Sequence, residues 1–140
     1  ILQESTLEGY LYKDERTNTV QVFPDMAEAP EDASFIKTIY TPSAVAGEYT
    51  LLTVELVTGK THQIRAHFAW AGHPLLGDPK YGNEAVNRTL KQTYGIGRQL
   101  LHAWQIRQKD AASGILPTGG ITCPLPEDFQ KLLLAAGIQP

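Results

Sequence analysis

The sequence predicts an α+β fold in one domain over residues 1–140, with a mainly antiparallel mixed sheet and a few helices. Three observations predict it. Short apolar runs with β-branched and aromatic members, separated by polar turns, fill the chain up to position 57. Beyond it, apolar residues recur at three- and four-residue spacing. The apolar share of 42% in 140 residues is enough for one real core, and no repeat, low-complexity segment or linker marks a second domain.

The elements follow in order. Residues 9–13 read as a strand, 14–18 as a polar turn and 20–23 as a second strand, together a hairpin. Residues 24–32 are acidic, contain Pro24 and Pro30, and predict an exposed loop. Residues 35–41 alternate as a strand, and Pro42 is expected to stop it. A turn at 45–48 leads into a strand over 49–57, antiparallel to the one before. Leu51, Leu52, Val54, Leu56 and Val57 predict that this strand is mostly buried. Thr58-Gly59 breaks it. Thr61 is the expected N-cap of a helix ending at Ala71-Gly72, with Ile64, Phe68 and Ala71 on its core stripe. Residues 73–82 hold two prolines and two glycines, which predicts a rigid, shaped loop. A short helix near 85–90, a strand over 100–106, a loop over 110–120 and an extended Ile121-Thr122-Cys123 follow. A last helix starts in Pro124-Leu125-Pro126-Glu127-Asp128 and ends at Gly137, with Phe129, Leu132, Leu133 and Ala136 on one face.

The net charge of −3 does not by itself suggest a nucleic-acid protein, but local clustering matters more than the total. Lys60, Arg65, Lys80, Arg88, Lys91 and Arg98 face only Asp78 and Glu84 between positions 60 and 98. The acidic residues gather instead before position 35. One side of the molecule is therefore expected to attract phosphates and another to repel them. Cys123 is the only cysteine, so no internal disulfide forms, a reducing cytoplasm is the expected compartment, and Cys123 itself is expected to be a small core residue. No apolar run reaches the roughly 20 residues of a membrane span. Ile1-Leu2-Gln3 has neither an initiator Met nor an obvious cap and reads as the start of a piece of something longer.

The chain is organised around Thr58-Gly59-Lys60-Thr61-His62-Gln63-Ile64-Arg65. Lys60 and the free N–H groups of the first helical turn favour anions there. A cation beside a core stripe, as Arg65 is, calls for a partner or a ligand. Gly59-Lys60-Thr61 after a strand suggests a phosphate-binding P-loop, but that motif needs a glycine where Val54 stands. His62 and His67 are five apart, about 140° around a helix, so no metal is predicted. No Gly-x-Ser-x-Gly elbow occurs. Arg65 is the first candidate for chemistry, with a pair to a nearby carboxylate such as Asp78 as the structural alternative.

This stretch, followed by Gly72-His73-Pro74-Leu75-Leu76-Gly77-Asp78-Pro79-Lys80-Tyr81-Gly82, resembles the RluA-type pseudouridine synthases. Arg98-Gln99-Leu100-Leu101-His102-Ala103 and Cys123-Pro124-Leu125-Pro126-Glu127-Asp128-Phe129 extend the resemblance, and residues 8–14 match more weakly. The resemblance implies part of a pseudouridine synthase catalytic fold and an isomerase that works without a cofactor. Its partner is implied to be RNA, ribosomal RNA ahead of transfer RNA. It implies that Arg65 pairs with a catalytic aspartate and keeps it ionised. Lys60, His62, Gln63, Ile64, Lys80 and Tyr81 are the implied substrate- or RNA-binding residues, with Lys60 set toward backbone phosphate.

The family's His-Arg-Leu-Asp motif does not occur, and Asp14, Asp25, Asp32, Asp78, Asp110 and Asp128 stand in other contexts. The family's tyrosine-bearing strand would lie upstream as well. The expectation is the C-terminal portion of a catalytic domain, inactive alone. Two alternatives stay open: a non-catalytic RNA-binding remnant of the same fold, and a protein-interaction domain. Surface left bare by a missing half predicts self-association.

Overall fold

The structure, a computed structural model, describes residues 1–109 and 114–139. Part of the loop expected over 110–120 lies outside the described residues. Among those residues the architecture is α+β, with two antiparallel sheets and three helices.

The larger sheet begins with the predicted hairpin, β1 (Ser5–Asp14) against β2 (Thr19–Phe23). Asn18 takes a positive φ of 50° in its turn, a conformation asparagine tolerates better than most residues. β3 (Ser34–Ala46) pairs with β1, and β4 (Tyr49–Leu56) pairs with β3, both antiparallel, giving the order β2-β1-β3-β4. Pro42 does not stop β3 as expected. Proline only removes one ladder donor, and the register shifts between Pro42 and Ala44, so a bulge absorbs the loss.

Alternation decides what is buried. Leu11, Val20 and Ile36 point to one face, where Ala66 of α1 (Gln63–Trp70) meets them. β4 is less buried than its apolar run predicts. It is the sheet's edge, and Leu56 remains 50% exposed. A groove of about 490 Å³ opens beside it, lined by Leu52, Val54, Ile64, Leu75, Leu101 and Leu133 among others.

A second cluster joins α2 (Glu84–Tyr94) to α3 (Glu127–Ala135) through Leu90, Ile96 and Leu132. Asn83 caps α2 by accepting from the Val86 N–H at 3.1 Å. The expected strand over 100–106 shrinks to β5 (Gln105–Ile106), because its partner β6 (Ile121–Thr122) is equally short. Cys123 is exposed rather than in the core.

The α1 helix also differs in detail. Its N-cap is His62, in the left-handed conformation (φ 56°, ψ 16°), not Thr61. Its buried residues are Gln63, Ala66, His67 and Phe68, so the stripe lies about a quarter of a turn from the one predicted.

Candidate functional site

The site grows from the turn between β4 and α1. The Thr58 hydroxyl donates to Gln63 Oε1 at 2.9 Å, and the Lys60 N–H donates to the same oxygen at 3.0 Å. The Gln63 amide nitrogen donates to the Lys37 carbonyl and to Thr38 Oγ1, each at 3.1 Å. A glutamine only 2% exposed thus has its carbonyl oxygen and amide nitrogen bonded inside the chain. Its role is to pin the turn to β3. This turn sets the helix start, places His62 at a positive φ and aims Arg65 along the flank of α1.

Arg65 meets Asp78 in a two-pronged pair: Nε to Oδ2 at 2.7 Å and Nη2 to Oδ1 at 2.8 Å. The side chains are 13% and 0% exposed, so water does little to screen them. Asp78 Oδ1 also accepts the backbone N–H groups of Lys80 at 2.9 Å and Tyr81 at 3.1 Å. Burial pushes the Asp78 carboxyl up, but Arg65 and these two N–H donors outweigh it and hold the group below the usual carboxylate range. The hydrogen bond to Asp78 raises Arg65 in turn. Arg65 Nη1 makes no hydrogen bond among the described residues.

The loop carrying Asp78 is rigid for steric reasons. Gly77 sits at φ 77°, and a Cβ there would lie 2.1 Å from the Arg98 carbonyl oxygen. Asn87, one turn into α2, accepts from the Gly77 N–H at 2.8 Å and donates to the Asp78 carbonyl at 2.7 Å. Tyr81 then lays its ring 5.2 Å from the Arg65 guanidinium carbon. Its hydroxyl accepts from the Val20 N–H at 3.0 Å and lies 2.9 Å from His62 Nδ1. Burial first, then Arg65 and Lys80, lowers the His62 pKa.

The structure therefore gathers His62, Arg65 and Tyr81 around Asp78, with Lys80 on the rim. Lys80 Nζ donates to the Asn18 carbonyl, and Lys60 is exposed on the neighbouring turn. Ile64 and Gln63 are not part of that cluster. Ile64 lines the groove beside β4, and Gln63 faces β3. Sequence reasoning gives Asn87 no role and weighs His67 only as a metal ligand. Thr58 enters it as a strand breaker and as the first residue of the matched stretch, not as a hydrogen-bond donor to Gln63. Asn87 stands 10 residues from Gly77, a separation with no local pattern. His67 is fully buried, with Nδ1 3.0 Å from Thr38 Oγ1.

With the geometry in view, the comparisons are specific. A family model for RNA pseudouridylate synthase matches residues 2–70. The ribosomal large subunit pseudouridine synthase D of Nitrosomonas europaea is 44% identical over 87 residues, 61% of this chain and 25% of that protein. The synthase C of Haemophilus ducreyi is 48% identical over 84 residues, 60% of this chain and 25% of that protein. An uncharacterized RNA pseudouridine synthase of Chloroflexus aurantiacus is 39% identical over 108 residues, 77% of this chain and 31% of that protein. The alignments thus take in a quarter to a third of these relatives' length. The solved structure of human RNA Pseudouridylate Synthase Domain Containing 1 shares the fold, with a TM-score of 0.56 at 18% identity over 99% of this chain and 61% of that one.

Proposed function

The chain belongs to the RNA pseudouridylate synthase family, and from that premise we propose that it forms the arginine-bearing wall of a pocket that isomerises uridine in RNA to pseudouridine. The single observation that supports this is the Arg65–Asp78 pair, which leaves one edge of a nearly buried guanidinium without a partner among the described residues. A guanidinium presented this way suits a carboxylate that must stay ionised in a partly dry site.

Asp78 itself is not the nucleophile. It is fully buried, and Arg65 and two backbone N–H groups hold its carboxylate in place, so a sugar carbon cannot reach it. In this reading the attacking aspartate comes from a segment outside these 140 residues. It attacks the sugar carbon as that carbon's bond to N1 breaks, the uracil turns, and C5 joins the same carbon and displaces the aspartate, while C5 loses its proton and N1 takes one up. The base must leave the stack to reach such a pocket. Arg65 Nη1 stabilises that aspartate, and His62, Lys60, Lys80 and Tyr81 contact the RNA. Ribosomal RNA is the substrate this reading favours, transfer RNA the second, and the cytoplasm is the compartment. No cofactor takes part.

The test uses RNA carrying tritium at uridine C5, which is released on isomerisation. The chain alone is expected to release none. Joined to a segment of a relative that carries a His-Arg-Leu-Asp motif, it is expected to release tritium, and Arg65→Ala is expected to abolish that release. Release by the chain alone, or full release by the joined Arg65→Ala protein, would overturn the assignment.

The bare edge of β4 and its groove favour one further expectation. Backbone groups of an edge strand beside exposed Leu56 and Val57 suit pairing with another strand, including that of a second copy. Light scattering at rising concentration checks it. A clean monomer throughout counts against self-association.

A further inference from the structure

We infer that Tyr81 locks His62 as a neutral imidazole with its proton on Nε2, so that His62 offers RNA a hydrogen-bond donor and is no general base. The inference follows from counting protons. The Tyr81 oxygen already accepts from the Val20 N–H at 3.0 Å. A phenol has one proton to give, and among the described residues the only acceptor in reach is His62 Nδ1 at 2.9 Å. We assign that proton to Nδ1 as acceptor, which leaves the single ring proton of neutral His62 on Nε2. Nε2 has no partner among the described residues.

The surroundings keep the ring neutral. Arg65 on the same helix, Lys80 and Asp78 on the adjoining loop, and Lys13 on β1 are the charged groups that face it. Burial opposes a charge on the ring, and three of the four groups are cations while the anion is already tied to Arg65, so protonation of the ring is disfavoured. The ring meets Tyr81 edge-on, with centroids 5.6 Å apart at 69°. The left-handed backbone at His62 (φ 56°) is unusual for a residue other than glycine, asparagine or aspartate. That conformation swings the side chain out of the helix toward Tyr81 and Arg65.

A fixed donor recognises an oxygen. In RNA that is a phosphate or sugar oxygen, or a uracil carbonyl. This second half of the inference rests on the RNA-modifying reading above, while the tautomer does not.

Nitrogen NMR of the 140-residue chain, ¹⁵N-labelled at histidine and held near pH 7.5, tests both. The expected spectrum shows His62 Nδ1 unprotonated and Nε2 protonated. A proton on Nδ1 overturns the inference outright. Tyr81→Phe is expected to mix the two tautomers, and an unchanged tautomer in a folded variant overturns the role given to Tyr81. An RNA oligonucleotide containing one uridine is then added, followed by the same strand abasic at that position. A shift at Nε2 with both identifies a backbone oxygen, and a shift only with the uridine identifies a base carbonyl. Shifts elsewhere on the chain without one at Nε2 refute the donor to RNA but leave the RNA reading standing. No binding at all refutes the RNA reading and leaves the tautomer standing. His62→Asn tolerates the left-handed backbone but lacks the Nε2 donor. It is expected to weaken RNA binding about 2- to 12-fold, the range for one hydrogen bond.

Discussion

Arg65–Asp78 and Arg98–Asp128 join the same two kinds of side chain in different settings. In the first, both groups are nearly or fully buried, two parallel hydrogen bonds form, and two backbone N–H groups complete the carboxylate. In the second, Arg98 Nη2 reaches Asp128 Oδ1 at 2.6 Å, but the side chains are 43% and 32% exposed. Asp128 sits in the first turn of α3 and also accepts from the Phe129 N–H at 2.8 Å. Burial makes the difference. Charges out of water depend on each other because nothing else stabilises them, whereas half-exposed charges keep water as an alternative. The first pair is thus part of how the site holds its shape. The second is a clip between a loop and a helix end.

The largest expected effect comes from breaking the buried pair. Asp78→Ala leaves the Arg65 guanidinium with neither carboxylate nor easy water, and strips the Lys80 and Tyr81 N–H groups of their acceptor. A loss of about 3 to 5 kcal/mol in urea unfolding is expected. A loss under about 1 kcal/mol would show that water reaches Arg65 easily and that the two pairs do not differ in kind.

A second buried polar group sharpens the point through pH. His67 is fully buried, and burial lowers its pKa below the ordinary histidine value. Thr38 Oγ1 accepts from Gln63 and lies 3.0 Å from His67 Nδ1. The sign follows from proton counting. Between the folded pKa and about 6.5 the unfolded chain binds more protons than the folded one, so stability is complete above about 6.5 and falls as pH drops through that window. Melting temperature measured from neutral to mildly acidic pH is expected to fall on the acid side. His67→Gln is expected to flatten that slope, though not fully, because His62 shifts in the same direction. A slope unchanged in the variant would remove His67 as its source.

These contrasts also show what a sequence displays and what it hides. The alternation that buries Leu11 and Ile36 is a property of one strand, so β1 to β4 and the antiparallel pairs β1–β2 and β3–β4 were legible, whereas the pairing of β1 with β3 was not. The apolar face of α3 was legible for the same reason, in Leu132 and Leu133. Burial of β4 was not, because it depends on what lies beyond the sheet's edge. Pro42 looked like a stop because a bulge needs a partner strand to become visible. In the site, Arg65 and Asp78 stood out as charges, and Tyr81 and His62 as members of matched motifs. The work of Gln63, Asn87 and Thr58 stayed hidden. A neutral polar residue looks the same whether it faces water or holds four groups together, and only the fold distinguishes the two.

The smallest expected effect lies in the exposed pair, and its value is diagnostic. Arg98→Ala removes one charge-assisted hydrogen bond that water replaces at once on the Asp128 side. The expected loss is about 0 to 1 kcal/mol. Salt should erase what there is, since exposed charges are screened over about 8 Å at physiological ionic strength. Unfolding of the variant and the parent chain, each in low salt and in high salt, separates the two settings. Arg98→Ala and the parent should converge as salt rises, while Asp78→Ala should stay apart from the parent at every salt concentration. Convergence of both variants would mean that the Arg65 pair is as wet as the Arg98 pair, and the nearly buried guanidinium assigned to the pocket wall would lose its physical basis.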